Sequence, residues 1–126
     1  MSFEHRTGRL LMRSWRAGDL DLWDRWLNVP AVAATVGGLQ TRAEIAAAME
    51  RIQACEAENG FCFWALERAE DGDFLGFCGL KRLSADGASS DILGKPEIGW
   101  RLREDAWGQG YAREAASAAL DLAFGR

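Results

Sequence analysis

The stretch PEIGWRLREDAWGQGYAREA, residues 96–115, decides the fold. In its first part, apolar side chains alternate with Glu97, Gly99 and Arg101, which predicts a β-strand over residues 97–102. Gly108 and Gly110 follow, and from Gly108 onward small residues recur at the spacing of a helix. The stretch therefore predicts a strand, a short glycine turn and a helix that packs closely on a sheet.

The chemistry of this turn favours a phosphate group. Glycine lets backbone approach a ligand where a Cβ would block it, and the first amides of a helix have no partners inside the helix. A dinucleotide-binding fingerprint is excluded because Arg113 stands where the third glycine or alanine is needed, and no P-loop motif occurs. A plain structural turn remains the alternative.

The remaining elements follow from hydrophobic periodicity and from turn residues. Thr41 and Glu44 have the spacing of a capping box at the start of the longest helix, and Asn59 and Gly60 follow it as a stop signal. The pattern predicts a strand over Leu10–Trp15, then a short helix that carries Leu20, Trp23, Trp26 and Leu27 and is ended by Pro30, and a loop over Val29–Gln40. A longer helix is predicted from Arg42 to about Glu58. A hairpin of Phe61–Arg68 and Phe74–Leu83 follows, and then a loop over Ser84–Pro96. The predicted order is β-α-α-β-β-β-α, which indicates an α/β (α+β) domain with a central, mostly antiparallel sheet.

Composition excludes several classes of protein. The chain has 126 residues, of which 48% are hydrophobic and 27% charged, and this suits one soluble domain. Its net charge is −4 and it has no basic run, so we expect no nucleic-acid partner. The N-terminus lacks the apolar core of a signal peptide, and no long apolar segment occurs, so we expect a cytoplasmic protein without a membrane partner.

Cysteines, the histidine and acidic residues give no sign of a metal. Cys55, Cys62 and Cys78 lack CxxC spacing, and His5 is the only histidine, so we expect reduced, mostly buried thiols, no zinc site and no disulfide. Three aspartates near the first helix are expected to form a solvated face rather than a metal site, and three strand tryptophans to pack in the core. The aspartates are Asp19, Asp21 and Asp24, and the tryptophans are Trp15, Trp64 and Trp100.

Two segments resemble the GCN5-related N-acetyltransferases, the GNAT superfamily, of the ribosomal-protein-alanine N-acetyltransferase branch. TGRLLMRSWRAGDLDLW, residues 7–23, is similar to the opening T-x-R-L-x-L-R of that branch, with an Asp near the first helix. Residues 96–115 resemble its acetyl-CoA motif, E-I-G-Y-x-L followed by W-G-x-G-Y-A-x-E-A. The resemblance implies the acyl-CoA N-acyltransferase fold, acetyl-CoA as co-substrate and an amine as acceptor.

The resemblance also implies the cofactor contacts. In the general motif Q/R-x-x-G-x-G/A, Trp107 stands at the Q/R position. The backbone amides implied to bind the pyrophosphate are those of Trp107, Gly108, Gln109, Gly110, Tyr111 and Ala112. The end of the strand, at Arg101, Leu102 and Arg103, is implied to pair its backbone with pantetheine.

Acetyl transfer from a thioester needs a base for the amine and a donor for the developing oxyanion. Glu97 is the candidate general base because it begins the strand beside the thioester path, and an exposed strand-end glutamate is the alternative. The backbone N–H near Leu102 is the candidate oxyanion donor. No general acid is assigned, since Tyr111 lies in the turn itself.

The family fold normally continues beyond the last predicted helix. We therefore expect residues 1–126 to form a single GNAT domain that is incomplete at its C-terminus, with a homodimer or a swapped assembly covering the sheet edge. Three functions stay open at this point. They are an N-acetyltransferase acting on a protein α-amine or a small amine, a non-catalytic acyl-CoA-binding module, and a structural or dimerising α/β domain.

Overall fold

In the computed structural model, residues 3–34, 36–82 and 96–124 are described, and they form a five-stranded sheet with helices on both faces. The strands are β1 (Glu4–Arg6), β2 (Leu10–Arg13), β3 (Phe63–Arg68), β4 (Phe74–Arg82) and β5 (Pro96–Leu102). The helices are α1 (Asp19–Trp26), α2 (Pro30–Ala33), α3 (Arg42–Asn59) and α4 (Tyr111–Phe124), and a 3-10 turn covers Glu104–Ala106. No helix in these ranges is long and apolar enough to cross a membrane.

The sheet is an antiparallel meander in the order β1-β2-β3-β4-β5, which confirms the predicted antiparallel α+β architecture. Strand β4 lies between β3 and β5, and its register places Gly79 opposite Phe63 on one side and Gly99 on the other. Strand β1 is absent from the sequence prediction, because three residues with an exposed-intermediate-exposed pattern give no hydrophobic alternation to detect.

Each face of the sheet carries its own apolar core. Helix α4 packs on one face, where Leu10, Trp64 and Ala115 are fully or almost fully buried. Helices α1 and α3 pack on the other face, where Trp23 and Phe77 lie at a ring-centroid distance of 5.0 Å. The small residues predicted for the last helix therefore do lie against the sheet.

The capping box at the start of α3 is confirmed. Glu44 N–H donates to Thr41 Oγ1 at 3.1 Å, and Thr41 N–H donates to the Glu44 carboxylate at 2.7 Å. At the other end of the helix, Gly60 adopts the left-handed conformation with φ of 80°. These two signals locate both ends of the helix to within one residue.

The prediction that Pro30 ends the first helix and stands in a loop is wrong. Helix α1 ends at Trp26, and Pro30 is the first residue of the short helix α2. The first position of a helix needs no N–H donor and favours the fixed φ of proline, so the same residue that breaks a helix interior starts a new one. Pro96, expected in the last loop, is the first residue of β5, and residues 83–95 of that predicted loop lie outside the described ranges.

Two side chains lie elsewhere than the sequence suggests. Asp19 is only 2% exposed and forms a two-pronged ion pair with Arg13, at 2.8 and 2.9 Å, so it is not part of a solvated face. Trp100 is 53% exposed, whereas Trp15 and Trp64 are buried as expected. Trp100 is not among the residues of the α4 core, so its place on a strand does not bring it under a helix.

The three cysteines differ in burial. Cys62 and Cys78 are buried and Cys55 is half-buried, and none of the three forms a disulfide in this structure. Burial raises the pKa of the Cys78 thiol to about 12, so this group stays protonated at neutral pH.

Candidate acetyl-CoA site along strand β5

The turn between β5 and α4 exposes the amino end of a 14-residue helix. Gly108 and Gly110 have φ of 73° and 82°, a left-handed conformation that glycine adopts without strain. The first helical bond of α4 runs from Glu114 N–H to the Gly110 carbonyl at 3.1 Å. The amides before Glu114 precede the helical ladder, so they and the helix dipole favour an anion at this turn.

The β1–β2 connection holds this turn in place, and we call the contact of Thr7 and Arg9 with Glu114 the clasp. Arg9 donates from its backbone N–H and from Nε to the Glu114 carboxylate, at 2.8 and 2.7 Å, and Thr7 Oγ1 donates to the same carboxylate. Arg9 Nη1 also donates to the Gln109 carbonyl at 2.8 Å. The clasp therefore connects the start of the sheet to both the turn and the first turn of α4.

The clasp favours the charged form of Glu114. Partial burial acts to raise the pKa of Glu114, but the hydrogen bonds from Thr7 and Arg9 together outweigh it, so the pKa lies below its ordinary value. The guanidinium of Arg9 also lies over the Tyr111 ring, 4.5 Å from its centroid. Tyr111 itself is buried and packs into the α4 core.

Strand β5 presents backbone groups on its open side. Arg103 N–H donates to the Leu75 carbonyl at 2.9 Å, which fixes which residues bond to β4. Because these groups alternate along an antiparallel strand, the N–H and carbonyl of Leu102 point away from β4. The Leu102 carbonyl accepts from Trp107 Nε1 at 2.9 Å, and β5 is the last strand of the described sheet.

Three cavities follow one another along β5. The first, about 320 Å³, lies beside the glycine turn, and the second, about 360 Å³, lies along the strand edge. The third, about 310 Å³, opens between α1, α3 and the sheet. The first is lined by Trp100, Leu102, Ala106, Trp107, Gly108, Gly110, Tyr111 and Ala112, and the second by Val32, Val36, Trp100, Arg101, Leu102 and Trp107.

The site thus combines an open strand edge, a glycine turn at the start of a helix and a cavity on each side of that edge. The family model described as "Acetyltransferase (GNAT) domain" matches residues 9–126. The chain belongs to the GNAT acetyltransferase family.

The chain is also similar to a curated protein and to solved structures. The chain is 30% identical over 119 residues to "Uncharacterized protein YkkB" of Bacillus subtilis (strain 168), a match that covers 94% of this chain and 66% of that protein. The structure of an acetyltransferase from Agrobacterium tumefaciens str. C58 is 26% identical, with a TM-score of 0.80 over 97% of this chain and 67% of that one. A putative GnaT-family acetyltransferase from Bordetella pertussis, 20% identical, has a TM-score of 0.81 over 95% of this chain and 71% of that one, which shows the shared fold.

Six of the nine cofactor residues predicted for this GNAT domain line the first cavity, beside the glycine turn. Gln109 does not line this cavity. Its backbone carbonyl accepts from Arg9 Nη1, and its side-chain amide donates to the Asp105 carbonyl. The polar groups of Arg103 already have protein partners. Its backbone N–H donates to the Leu75 carbonyl, and its carbonyl accepts from Ala106 N–H. Its guanidinium binds Asp105 and Asp73. Of the three strand residues proposed to pair with pantetheine, Leu102 is the one whose N–H faces the open edge.

The candidate base is only partly described. The backbone of Glu97 pairs with Lys81 on β4, and its side chain lies outside the described part of the chain. Among the described residues, no group of three or more His, Cys, Asp or Glu is placed to hold a metal ion.

The sequence does not reveal the clasp. Both halves of it stand in the quoted motifs, Thr7 and Arg9 in the first and Glu114 in the second, but a motif does not show that its residues touch another motif more than 100 positions away. A carboxylate in the first turn of a helix and an arginine in the opening motif are the available signals.

Proposed function

We propose that this GNAT domain transfers the acetyl group of acetyl-CoA to a primary amine, by direct attack of the amine while both substrates are bound. One observation carries the proposal: the cavity along β5 shares Trp100, Leu102 and Trp107 with the cavity at the glycine turn, and Arg101 with the cavity under α1 and α3. A transfer between two bound substrates needs two binding spaces that meet at one point. The two proposed binding spaces would meet at residues 101 and 102 of β5, through the cavity along the strand edge.

The glycine turn supports the pyrophosphate end of the proposal. Backbone N–H groups at the start of α4 and the positive end of the helix dipole would bind the phosphates. Trp107, Gly108, Gln109, Gly110, Tyr111 and Ala112 are the residues proposed for this contact. A Cβ on Gly110 would lie 3.3 Å from Arg9 Nη2, so the turn is already closely packed on its protein side.

The edge of β5 supports the reacting end. Leu102 N–H points away from β4, at the open edge of the sheet. It would stabilise the negative charge that develops on the thioester oxygen. By the same alternation Trp100 presents the next outward N–H, two residues earlier on the edge. Pantetheine is proposed to lie along this edge, between the turn and the reacting carbonyl.

Glu97 is proposed as the general base that takes the proton from the amine. The proposal rests on its position, since Glu97 lies on β5 four residues before Arg101, which lines the cavity under α1 and α3. A carboxylate that acts directly or through one water is sufficient for this role.

Acetyl-CoA binding and turnover test the proposal separately. Calorimetry with acetyl-CoA should show binding, and thiol release with a panel of primary amines should show turnover. Replacing Glu97 with Gln should lower the rate of turnover by about 10²-fold or more and leave acetyl-CoA affinity unchanged. Glu50→Gln, on the exposed side of α3, is the matched control and should behave as the unmodified protein.

The two other candidate functions correspond to the two negative results. Binding of acetyl-CoA without turnover of any amine would indicate a non-catalytic acyl-CoA-binding module. No binding by a folded sample would leave a structural or dimerising domain. The ribosomal-protein branch, the cytoplasmic location and a homodimer remain predictions from the sequence.

A further inference from the structure

The cavity under α1 and α3 has a basic and aromatic wall. Trp23 contributes from α1, Arg51 from α3, and Phe77 and Arg101 from the sheet. None of the residues that line it is acidic; the remaining ones are Gln40, Ala48, Ile52, Cys55, Cys62 and Phe63. Its volume of about 310 Å³ is at the lower end of the range for small-molecule sites.

Arg101 is half-buried and differs from the two buried arginines, Arg13 and Arg103. Arg13 binds the carboxylates of Asp19 and Glu67, and Arg103 binds those of Asp105 and Asp73. Within the described ranges Arg101 has no ion pair, and its buried Nε has no hydrogen-bond partner. Its guanidinium instead lies 5.5 Å from the centroid of the Trp23 ring and 5.2 Å from that of Phe77.

A second donor, on a residue that lines the same cavity, also lacks a partner. Trp23 is 2% exposed, and its Nε1 is buried with no hydrogen-bond partner in the described part of the chain. Buried polar groups in folded proteins are almost always paired, so two unpaired donors beside one another point to a ligand that accepts. Burial lowers the pKa of Arg101, but a guanidinium stays charged at neutral pH.

We infer that this cavity binds an acceptor amine carrying a negatively charged group, which Arg101 and Trp23 Nε1–H bind while the amine faces the β5 edge. The inference rests on the proposed function and adds the chemical class of the substrate. A planar guanidinium donates two parallel hydrogen bonds to a carboxylate or a phosphate, and in a partly desolvated site such bonds are strong.

The position of Arg101 limits the size of the acceptor. Arg101 precedes Leu102, the proposed oxyanion donor, and successive strand residues are about 3.3 Å apart with side chains on opposite faces. The anionic group lies on the α1/α3 face, and the amine must reach the strand edge at the next residue. A short linker between amine and anion is therefore favoured.

Matched amines test the inference by kinetics. β-Alanine is compared with β-alaninamide, and O-phosphoethanolamine with ethanolamine, so that each pair differs in the anionic group. We expect a kcat/KM at least about tenfold higher for an anionic member, and the pair that shows the preference identifies carboxylate or phosphate as the group bound. Equal kcat/KM within both pairs would overturn the inference while leaving the proposed function intact.

Variants assign the preference to the cavity. Arg101→Gln should abolish the preference, so that kcat/KM becomes equal within each matched pair of amines. Arg101→Lys should restore part of the preference. Arg25→Gln is the matched control, because Arg25 also lies over a tryptophan, Trp26, but outside this cavity, and it should keep the full preference. Retention of the preference by Arg101→Gln would contradict the inference.

Binding is measured independently of turnover. The indole N–H resonance of Trp23, assigned with Trp23→Phe, should shift on titration with O-phosphoethanolamine or β-alanine and not with the neutral partners. A shift without any turnover would leave the inference standing and count against the proposed function. The absence of any shift in the folded protein would overturn the inference.

Discussion

At the scale of single residues, Gly110 lies in the turn proposed to bind acetyl-CoA, with Arg9 packed against it. We expect Gly110→Ala to weaken acetyl-CoA binding about tenfold, because an alanine at φ of 82° strains the turn and its Cβ, 3.3 Å from Arg9 Nη2, makes that side chain shift. A left-handed alanine also costs about 1–2 kcal/mol. Calorimetry measures the affinity.

Gly72→Ala is the matched control for the glycine turn. Its φ of 75° is similar and a Cβ there meets nothing within 4 Å, so it should lose stability but not affinity. Equal affinity of Gly110→Ala and the unmodified protein would show that the turn does not bind the cofactor.

Single residues are also where the sequence predicts least. Asp19, Trp100 and Arg101 each stand in a clear local pattern, yet their surroundings depend on other elements. A helix-face pattern does not show that Arg13 approaches from β2, and a strand pattern does not show where α4 stops covering the sheet. The unpaired state of Arg101 depends on α1 and α3, so the alternation of β5 alone could not reveal it.

At the scale of elements, the clasp makes the contact between the β1–β2 connection and α4 depend on pH. Burial acts to raise the pKa of Glu114, but the hydrogen bonds from Thr7 and Arg9 outweigh it and lower the pKa below the ordinary 4.5. The stabilisation is therefore fully present above that ordinary value and is lost as the pH falls through the lower, folded-state pKa.

Glu114→Gln should consequently be less stable than the unmodified protein by about 1–3 kcal/mol at neutral pH. The difference in the free energy of unfolding should shrink as the pH falls from about 5 to about 3. Urea denaturation over this range measures it, with Glu50→Gln as the control that removes a carboxylate from an exposed helix surface. A difference that stays constant with pH would show that the carboxylate charge of Glu114 does not stabilise the clasp.

Most elements could be predicted, for physical reasons that vary among them. The capping box and Gly60 predicted the two ends of α3. The first end carries side chains that bond to its free amides, and the second ends in a glycine that adopts the left-handed conformation. The hairpin of β3 and β4 followed from apolar runs around a polar turn. The prediction at Pro30 was wrong because proline breaks the interior of a helix but favours its first position. Strand β1 was not predicted because its three residues are little buried and show no hydrophobic alternation.

At the scale of the whole molecule, β4 joins the two cores because it contributes residues to both faces of the sheet. Gly79 on β4 has no room for a side chain, because a Cβ there would lie 1.9 Å from the backbone carbonyl oxygen of Cys62, which cannot rotate away. Gly79→Ala should therefore force β3 and β4 apart and lower the melting temperature by about 10 °C or more.

Gly8→Ala is the control for Gly79→Ala. The atom nearest to a Cβ at Gly8 is 3.9 Å away, so this variant should melt as the unmodified protein does. An unchanged melting temperature for Gly79→Ala would show that the spacing of these strands is adjustable.

The clasp also has a consequence for synthesis of the chain. Arg9 and Glu114 are 105 positions apart. Translation of that separation takes about 5–20 s. Throughout that interval Thr7 and Arg9 have been synthesised without their carboxylate, and the glycine turn does not yet exist. The nascent protein can assemble its first strands and helices early, but the site proposed for acetyl-CoA is complete only once α4 has been synthesised.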